Sequence, residues 1–445
     1  MIFVVKICSQ IMAAGPGVAI LGKGHMKRLL ILIGWLICAT LWLGMPARAF
    51  SLLEPNTWPP SLNPHNWPFD LFPIPEVATN PNGGVTYGVL LAFLFKNQQN
   101  QISDILAPDV NNDTKLGFGG TVRFFSYPSE DTQWYALAGA QEKIARIVDL
   151  NYATGRTRES RFSLEGRLYF ERDPTDRFFG FGNDAPQSGE SNYTTEQIYV
   201  RGKLGWNITK AFQLALVARP RYVRIQEGAF TNIPQTIVVY PNAKGVGGGS
   251  EIYGEMRATY DTRDSVDIPR SGSLMLLYGG TAQRALFSST SWNRIGLDAH
   301  HYWTLTPRLT LAVHGYLQYM PSGNEAPFWA RGRLGGDPSF LYDQETLRGF
   351  GADRFNDNNL SVGNLELRTR VLELTVMSTP GVLELAPFFE AGRVFHSMSG
   401  DPFEALHPVG GIGFRGIAEP FVVGFVDVGW GGEGAAVFAG INYPF

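Results

Sequence analysis

Residues 251–260, Glu-Ile-Tyr-Gly-Glu-Met-Arg-Ala-Thr-Tyr, alternate between two sets of side chains. The even-numbered positions carry Ile, Gly, Met, Ala and Tyr, whereas the odd-numbered positions carry Glu, Tyr, Glu, Arg and Thr. A period of two places successive side chains on opposite faces of a β-strand. The segment therefore predicts a strand with one apolar face and one polar, charged face.

The same pattern recurs in residues 198–206 and 310–319, and from residue 80 onward such segments alternate with clusters of Gly, Pro, Asn and Asp. A soluble sandwich would bury the apolar face, whereas a membrane barrel would turn it outward, and both give the same alternation. Aromatic residues at the segment ends favour the barrel, because a girdle of aromatic side chains lies at each membrane interface. These residues are Trp206, Tyr260, Trp303, Tyr319 and Trp430.

Length and composition fit a single large barrel. The chain has 445 residues, of which 17% are charged, and 51 are glycine. After residue 50 no stretch reaches the roughly 18 consecutive apolar residues that a membrane helix needs. About 365 residues at roughly 22 per strand and connection give about 16 strands, an even number that places both ends in the periplasm. We therefore expect an all-β protein, a transmembrane antiparallel β-barrel over residues 80–445.

The N-terminal region predicts export. Residues 26–49 read as a signal peptide, with basic Lys27-Arg28, an apolar run over residues 29–43 and the cleavage pattern Ala47-Arg48-Ala49. Residues 1–25 are interpreted as a possible upstream extension. Both cysteines, Cys8 and Cys38, precede the expected cleavage point. The mature chain would then lack disulfides and cysteine chemistry, and its expected location is the bacterial outer membrane.

Residues 50–79 are rich in proline, which restricts both helix formation and ladder pairing, so we expect an extended periplasmic arm here. Removal of residues 1–49 takes away five basic residues and no acidic one, which lowers the formal net charge from −3 to about −8. A nucleic-acid partner favours a basic face, so this balance argues against one.

The C-terminal residues carry a second targeting pattern. Val437, Ala439, Ile441, Tyr443 and Phe445 would share one face of a final strand. This pattern resembles the terminal signal by which outer-membrane barrels are recognised, with Ile441, Tyr443 and Phe445 as its residues. The expected partners are accordingly the lipid bilayer and the barrel-assembly machinery for insertion of the chain itself.

Three motifs between residues 335 and 395 occur in a specific order. Gly335-Gly336 precedes Leu347-Arg348-Gly349-Phe350, then come residues 363–368 (Gly-Asn-Leu-Glu-Leu-Arg) and residues 388–394 (Phe-Phe-Glu-Ala-Gly-Arg-Val). Together they resemble the BamA/TamA-like outer-membrane assembly-factor superfamily, also called the bacterial surface antigen family. Residues 260–272 are similar to a hairpin of that family, and residues 179–184 to one of its loops. The resemblance covers most of residues 80–445, although Glu390 stands where the family usually has Asp.

The resemblance implies a long sixth loop whose Arg-Gly-aromatic tip, residues 347–350, folds back into the barrel. Alternation places Glu366 and Glu390 on the lumen side of strands expected to be adjacent. We therefore expect Arg348 to meet both carboxylates as a partly buried, bidentate charge pair, a geometry that suits the forked guanidinium.

The implied function is assistance to a polypeptide or lipid that enters or crosses the outer membrane. Family members usually carry periplasmic POTRA domains, whereas here about 30 proline-rich residues precede the predicted barrel, so the chain resembles short members without them. A separate periplasmic partner or a secreted client would then be expected. The alternative is a passive channel or structural surface antigen that keeps the loop as an internal plug.

Signs of enzymatic chemistry are weak. Residues 411–416 match a dinucleotide fingerprint by letters, but no helix follows for a pyrophosphate to cap, so these are interpreted as strand glycines. His300 and His301 would lie on opposite faces of a strand and cannot chelate one metal together. Asp261 and Asp264 are better explained by a hairpin than by a calcium loop, and no serine motif of an outer-membrane lipase stands out. The sequence predicts a protein that is not an enzyme, with no catalytic residue, cofactor or metal.

Overall fold

The computed structural model describes residues 67–79, 82–99, 101–336, 344–376, 379–398, 401–419 and 422–445. The predicted signal peptide, the upstream extension and residues 50–66 of the predicted arm lie outside the described residues. Within the described part of the chain, no helix is long and apolar enough to span a membrane.

Eighteen strands form one large sheet in which neighbours along the chain pair antiparallel, and three short strands form a second sheet. The first thirteen strands of the large sheet are β1 (Phe69–Thr79), β2 (Val85–Lys96), β3 (Ile102–Asp113), β4 (Gly117–Ser126), β5 (Gln133–Gln141), β6 (Arg146–Thr154), β7 (Phe162–Phe178), β8 (Ser191–Asn207), β9 (Phe212–Glu227), β10 (Gly249–Asp261), β11 (Gly272–Ala282), β12 (Trp292–Thr306) and β13 (Leu309–Tyr319). The small sheet follows in the chain and consists of β14 (Gly332–Leu334), β15 (Gln344–Glu345) and β16 (Phe355–Asp357). The last five strands of the large sheet are β17 (Asn359–Val376), β18 (Thr379–Phe395), β19 (His407–Ala418), β20 (Val422–Gly431) and β21 (Gly434–Ile441). Helical structure in the described residues is limited to α1 (Thr236–Val239) and the 3₁₀ turns Gln187–Gly189, Arg284–Leu286, Gly323–Glu325 and Phe328–Ala330.

The sheet returns to its first strand. β21 pairs with β1 through Val437 and Thr79, so the pairings form a ring of 18 strands. The predicted antiparallel barrel is confirmed, but its strand number is higher than the expected value of about 16. Short strands such as β5 and β6, with nine residues each, need less chain than the assumed average.

The proline-rich segment also contributes a strand, so the prediction that the barrel begins at residue 80 is wrong. β1 pairs with β2 without interruption, from Phe69 opposite Phe95 to Thr79 opposite Val85. Pro73 and Pro75 both lie in this strand. Residues two apart direct their backbone nitrogens to the same side, so these prolines remove donors from one edge only and leave the other able to pair.

The apolar faces point outward. On β10 the side chain of Met256 is 70% exposed, whereas that of its neighbour Glu255 is 6% exposed. Likewise Val200 and Leu204 of β8 are exposed, while Arg201 between them is buried. A soluble sandwich would show the opposite arrangement, so the structure decides between the two folds that the alternation left open. Four of the predicted girdle residues are exposed near strand ends: Trp206, Tyr260, Trp303 and Trp430.

The two ends of the barrel differ in their connections. The turn between β12 and β13 spans residues 307–308, and the connection from β13 to β17 spans residues 320–358. Short turns mark the periplasmic end of such barrels, and long loops mark the outer end. Two strands of this long connection, Gly332–Leu334 and Phe355–Asp357, are buried. The small sheet to which they belong lies inside the barrel beside β17 and β18.

The prediction that Tyr443 and Phe445 belong to the final strand is wrong. β21 ends at Ile441, and Asn442 adopts a positive φ of 78°. Pro444 has no N–H to donate to a ladder. The chain turns into the lumen, where the Tyr443 hydroxyl donates to Glu384 Oε1 at 3.2 Å and Arg368 Nη2 donates to the Phe445 carbonyl at 3.1 Å.

The outward direction of Met256 can be tested by a charge. Met256→Arg should destabilise the folded barrel by about 2–4 kcal/mol in lipid vesicles, because a charge near the bilayer midplane loses its hydration. Met256→Leu, which keeps an apolar side chain of similar volume, serves as the control. Reversible denaturant unfolding gives both values, and equal stability of the two variants would contradict an outward Met256.

Candidate functional site

The connection between β13 and β17 carries residues 347–350 into the lumen. Gly335 and Gly336 have φ values of 129° and 79°, a region that side chains with a Cβ atom rarely adopt. These glycines turn the chain after β14, and the Leu347 amide then donates to the Gly336 carbonyl at 3.0 Å. The paired glycines of the sequence motif therefore shape the base of the loop that presents Arg348.

Arg348 has no exposed surface and contacts carboxylates from three different strands. Its Nη1 atom lies 2.9 Å from Glu366 Oε1 of β17 and 2.5 Å from Asp427 Oδ2 of β20. Its Nε atom lies 2.7 Å from Glu390 Oε1 of β18, whose second oxygen accepts the Arg348 backbone amide, also at 2.7 Å. The loop is thus held through both its main chain and its side chain.

Two further arginines complete the charge balance. Arg415 Nη2 lies 3.1 Å from Glu366 Oε1, and Arg415 Nη1 pairs with Asp427. Arg368 Nε donates to Glu366 Oε2 at 2.9 Å. Three guanidinium groups and three carboxylates, all buried, therefore form one network without net charge. We refer to these six residues as the lumen network: Arg348, Glu366, Arg368, Glu390, Arg415 and Asp427.

The energetics of the network favour a unique loop position. Burial alone would lower the pKa of Arg348, but the charges of Glu390, Glu366 and Asp427 outweigh this effect and raise it, so the group stays ionised. The guanidinium also lies over the ring of Phe388, 3.7 Å from its centroid. Removal of one partner from a buried ion pair leaves the others uncompensated at a cost of about 3–5 kcal/mol.

The residues beside Arg348 explain the rest of the motif. A Cβ atom on Gly349 would lie 2.5 Å from the backbone nitrogen of Gly431, and one on Gly429 would lie 2.0 Å from the Arg348 carbonyl oxygen. The loop tip therefore packs directly on the main chain of β20. Leu347 and Phe350 belong to one buried apolar cluster, in which the Phe350 and Phe355 rings meet edge to face at 5.2 Å.

The outer loop at residues 179–184 holds the long connection from above. The Gly182 amide donates to the Asn356 carbonyl at 3.0 Å, and Arg354 Nη2 donates to the Ala185 carbonyl at 2.9 Å.

In the predicted hairpin at residues 260–272, Asp261 pairs with Arg263 at 2.9 Å. The Asp261 carboxylate, which would be a ligand in a calcium loop, is thus paired with Arg263.

Sequence reasoning selected part of the network. The structure brings Arg348, Glu366 and Glu390 together, and it places Tyr443 and Phe445 beside Arg368. Arg368, Arg415 and Asp427 were not selected. A signal for Asp427 exists, because this single carboxylate lies between Val426 and Val428 in an otherwise apolar segment. Such a charge at an alternating position indicates a lumen-facing residue.

A cavity of about 700 Å³ lies beside the loop within the lumen. Glu345 and Thr346 of the loop contribute to its wall, together with Phe445 and with His300 and His314 from β12 and β13. Charged residues from other strands, among them Arg167 and Arg219, line the remaining wall. The loop therefore fills one part of the lumen and leaves a polar space in the other.

A family model described as the Omp85 superfamily domain matches residues 133–414, a range that includes both β12–β13 and the Arg348 loop. The chain belongs to the Omp85 superfamily. This Omp85 chain is accordingly a barrel of the bacterial outer membrane, in the assembly and translocation class. The family match covers Arg348, Glu366 and Glu390 and ends before Asp427.

Solved structures similar to this Omp85 chain have low sequence identity. BamA from Haemophilus ducreyi lacking POTRA domains 1–3 is 13% identical, with 84% of this chain and 75% of that chain covered and a TM-score of 0.48. CdiB from Escherichia coli is 12% identical, with 84% and 62% covered and a TM-score of 0.43. Wzi, an outer-membrane protein involved in group 1 capsule assembly in Escherichia coli, is 11% identical, with 85% and 83% covered and a TM-score of 0.34. A comparison with curated proteins finds no match.

Arg348→Ala should leave the barrel able to insert but release the loop, because three buried carboxylates lose a shared cation at a cost of about 3–5 kcal/mol. Trypsin added to intact cells should then cut at Arg331, Arg333 or Arg354, which are buried in the wild type. Arg224→Ala removes a mostly exposed arginine and is the control. Wild-type trypsin resistance of the Arg348 variant would exclude this role.

Gly349→Val tests the close packing of the loop tip on β20. Because its Cβ atom would meet the Gly431 nitrogen, we expect the loop to be displaced at a cost of about 1–3 kcal/mol, with partial trypsin sensitivity. Gly410→Ala on β19 is the matched control, since nothing lies within 4 Å of its new Cβ atom. If both variants resist trypsin equally, the tip does not pack as described.

Proposed function

We propose that this barrel helps a polypeptide or lipid to enter or cross the outer membrane, without covalent chemistry, and acts with a separate periplasmic partner or a secreted client. Membership of the Omp85 superfamily supports the general class. The observation that carries the specific role is the contact between β1 and β21, which we call the seam. A passive channel or surface antigen needs a continuous wall. Its function does not require few hydrogen bonds between β1 and β21.

Among the described residues, the ladder across the seam consists of the pair Thr79–Val437. The Val437 amide donates to the Thr79 hydroxyl at 2.9 Å, so a side chain supplies the bond that a main-chain carbonyl usually provides. On its other side, β21 pairs with β20 continuously from Ile441 opposite Gly424 to Gly434 opposite Gly431. The difference supports a barrel that parts more easily at the seam than at the neighbouring interface.

Two prolines support the same interpretation. β1 keeps an uninterrupted ladder with β2, so we infer that the donors missing at Pro73 and Pro75 face β21. A strand edge that lacks N–H donors at two alternate positions cannot complete a regular ladder with β21. Such an edge remains available to an extended client segment, since an added strand pairs through its main chain whatever its sequence.

The lumen network stabilises the part of the wall next to the seam. Gly349 lies on the main chain of β20 at Gly431, and Arg348 holds β17, β18 and β20 through their carboxylates. β21 has no carboxylate in this network. The loop therefore braces the wall up to β20 and leaves β21 to depend on its two ladders, which favours motion at the seam.

A disulfide across the seam tests the proposal. Facing residues of antiparallel strands have Cα atoms about 4.5–5.5 Å apart, within the range of a disulfide. Oxidised Thr79→Cys/Val437→Cys should block the export or insertion of clients, and a reductant should restore it. The pair Val428→Cys/Val437→Cys shares one cysteine but locks the continuous β20–β21 ladder, so it should leave activity unchanged.

The measurement uses cells whose own copy of the gene is deleted and replaced by each variant, with mass spectrometry of outer-membrane and surface-exposed proteins and analysis of outer-membrane lipids. Equal profiles for the locked seam and the locked control would contradict the proposal. Large, steady single-channel currents in planar bilayers that neither the seam disulfide nor Arg348→Ala changes would instead indicate the passive channel.

A further inference from the structure

Two histidines and an aspartate meet in the lumen on β12 and β13. His300 and His314 are direct partners across the ladder, and their rings stack with centroids 4.4 Å apart. Asp298 Oδ1 lies 2.7 Å from His300 Nε2 and 3.0 Å from His314 Nε2. The three potential ligand atoms all lie within 4.8 Å of one another and border the lumen cavity.

The hydrogen bonds behind His314 determine which ring nitrogen carries its proton. The Asn364 Nδ2 group donates a hydrogen bond to Glu390 at 2.9 Å. An ionised carboxylate can only accept hydrogen bonds, so the amide nitrogen of Asn364 must face Glu390 and its oxygen must face the other way. Asn364 Oδ1 then faces His314 Nδ1 at 2.8 Å and must accept its proton. In neutral His314, the lone pair is therefore on Nε2, the atom that points at Asp298.

A lone pair on nitrogen that faces a carboxylate oxygen at 3.0 Å is repulsive unless a positive charge lies between them. We propose that Asp298, His300 and His314 bind a divalent transition-metal ion of the zinc type. Two imidazoles and one carboxylate form the donor set of open zinc sites, in which a fourth position stays available to water. Here that position would face the lumen cavity.

The surroundings fit such a metal ion. A tetrahedral ion with ligand bonds of about 2.0–2.1 Å holds its ligand atoms about 3.3 Å apart. The distances from Asp298 Oδ1 to His300 Nε2 and His314 Nε2, 2.7 Å and 3.0 Å, are close to this value. The hydrogen bond from His314 Nδ1 to Asn364 is the outer contact by which proteins commonly orient a ligating histidine. The carboxyl group of Glu345, carried by the Arg348 loop, lies on the wall of the same cavity.

The site also connects to the lumen network. Glu390 receives Arg348 from the loop and Asn364 from β17, and Asn364 in turn orients His314. Arg348 thus acts on the histidine through two intermediate side chains. The site does not depend on the seam, so its test and the test of the proposed function can fail separately.

Metal titration of the purified, folded barrel in detergent tests the site directly. After treatment with a chelator, wild-type protein should bind one Zn²⁺ per chain with a Kd of about 1 µM or tighter by calorimetry. Co²⁺ should give the visible absorption bands of a tetrahedral site with nitrogen and oxygen ligands. His300→Ala and His314→Ala should each abolish high-affinity binding, and Asp298→Asn, which keeps the shape, should weaken it strongly.

His301→Ala is the matched control. His301 is the next residue on β12 but lies on the opposite face, where its Nδ1 is 2.6 Å from Ser273 Oγ and its ring packs on Trp303. This variant should bind zinc like the wild type. Asn364→Leu keeps all three ligands but removes the contact that orients His314, together with the Asn364–Glu390 hydrogen bond. It should weaken binding by about 10–100-fold while the Co²⁺ spectrum keeps its form.

Heat-dependent gel mobility shows that each variant is folded before titration. Wild-type barrel that binds no Zn²⁺ below about 0.1 mM would overturn the proposal and leave an imidazolium–carboxylate pair. Binding that survives both His300→Ala and His314→Ala would overturn it equally, since the metal would then lie elsewhere.

Discussion

The guanidinium of Arg348 is an ion without contact with solvent, and much of the architecture around it follows from that condition. Removal of such a group from water costs several kcal/mol, which only close opposite charges can offset. Glu366, Glu390 and Asp427 supply these charges from β17, β18 and β20. The loop position and the register of the strands therefore determine each other, because a shift in either would leave buried charges unpaired.

This condition can be met only in a barrel whose interior is polar. The outward faces carry Val200, Leu204 and Met256, so the charged residues of the same strands are enclosed. Within the lumen the charges pair across neighbouring strands, as Arg167 does with Asp149 at 2.7 Å. Around most of the wall such pairs reinforce continuous ladders. At the seam the ladder of described residues is reduced to Thr79 and Val437, next to the part of the wall that the loop contacts.

Glu390 joins two parts of the lumen that are far apart in sequence. One oxygen receives Arg348 and Asn364, and Asn364 directs the proton of His314 toward itself. The chemistry available at His300 and His314 thus depends on the presence of the loop. Phe445 adds a further contact, since its ring stacks on that of His314 at 5.4 Å. Loop, histidine pair and C-terminal residues therefore form one connected interior.

Alternation with a period of two was sufficient to predict strands with one apolar and one polar face, because side-chain direction in a strand is a local property. The aromatic residues at the segment ends and the signal peptide pattern then favoured the barrel. The Arg348 motif and its partners Glu366 and Glu390 could be selected from the alternation together with the family resemblance. Proline density misled the interpretation of residues 69–79, since the effect of a proline depends on which edge of its strand is paired. The direction of residues 442–445 could not be inferred either, because it depends on Arg368 and Glu384 across the lumen.

The sequence by itself therefore determined the class of fold, the alternation of faces and the residues at the loop tip. Only the tertiary structure decided that the apolar faces point outward, that Asp427 and Arg415 complete the network, and that β1 and β21 meet at Thr79. It also decided that His300 partners His314 and not its neighbour His301. The physical reason is that facing strand positions are set by register, which depends on how two segments pair and on the turn between them, and neither segment alone specifies it.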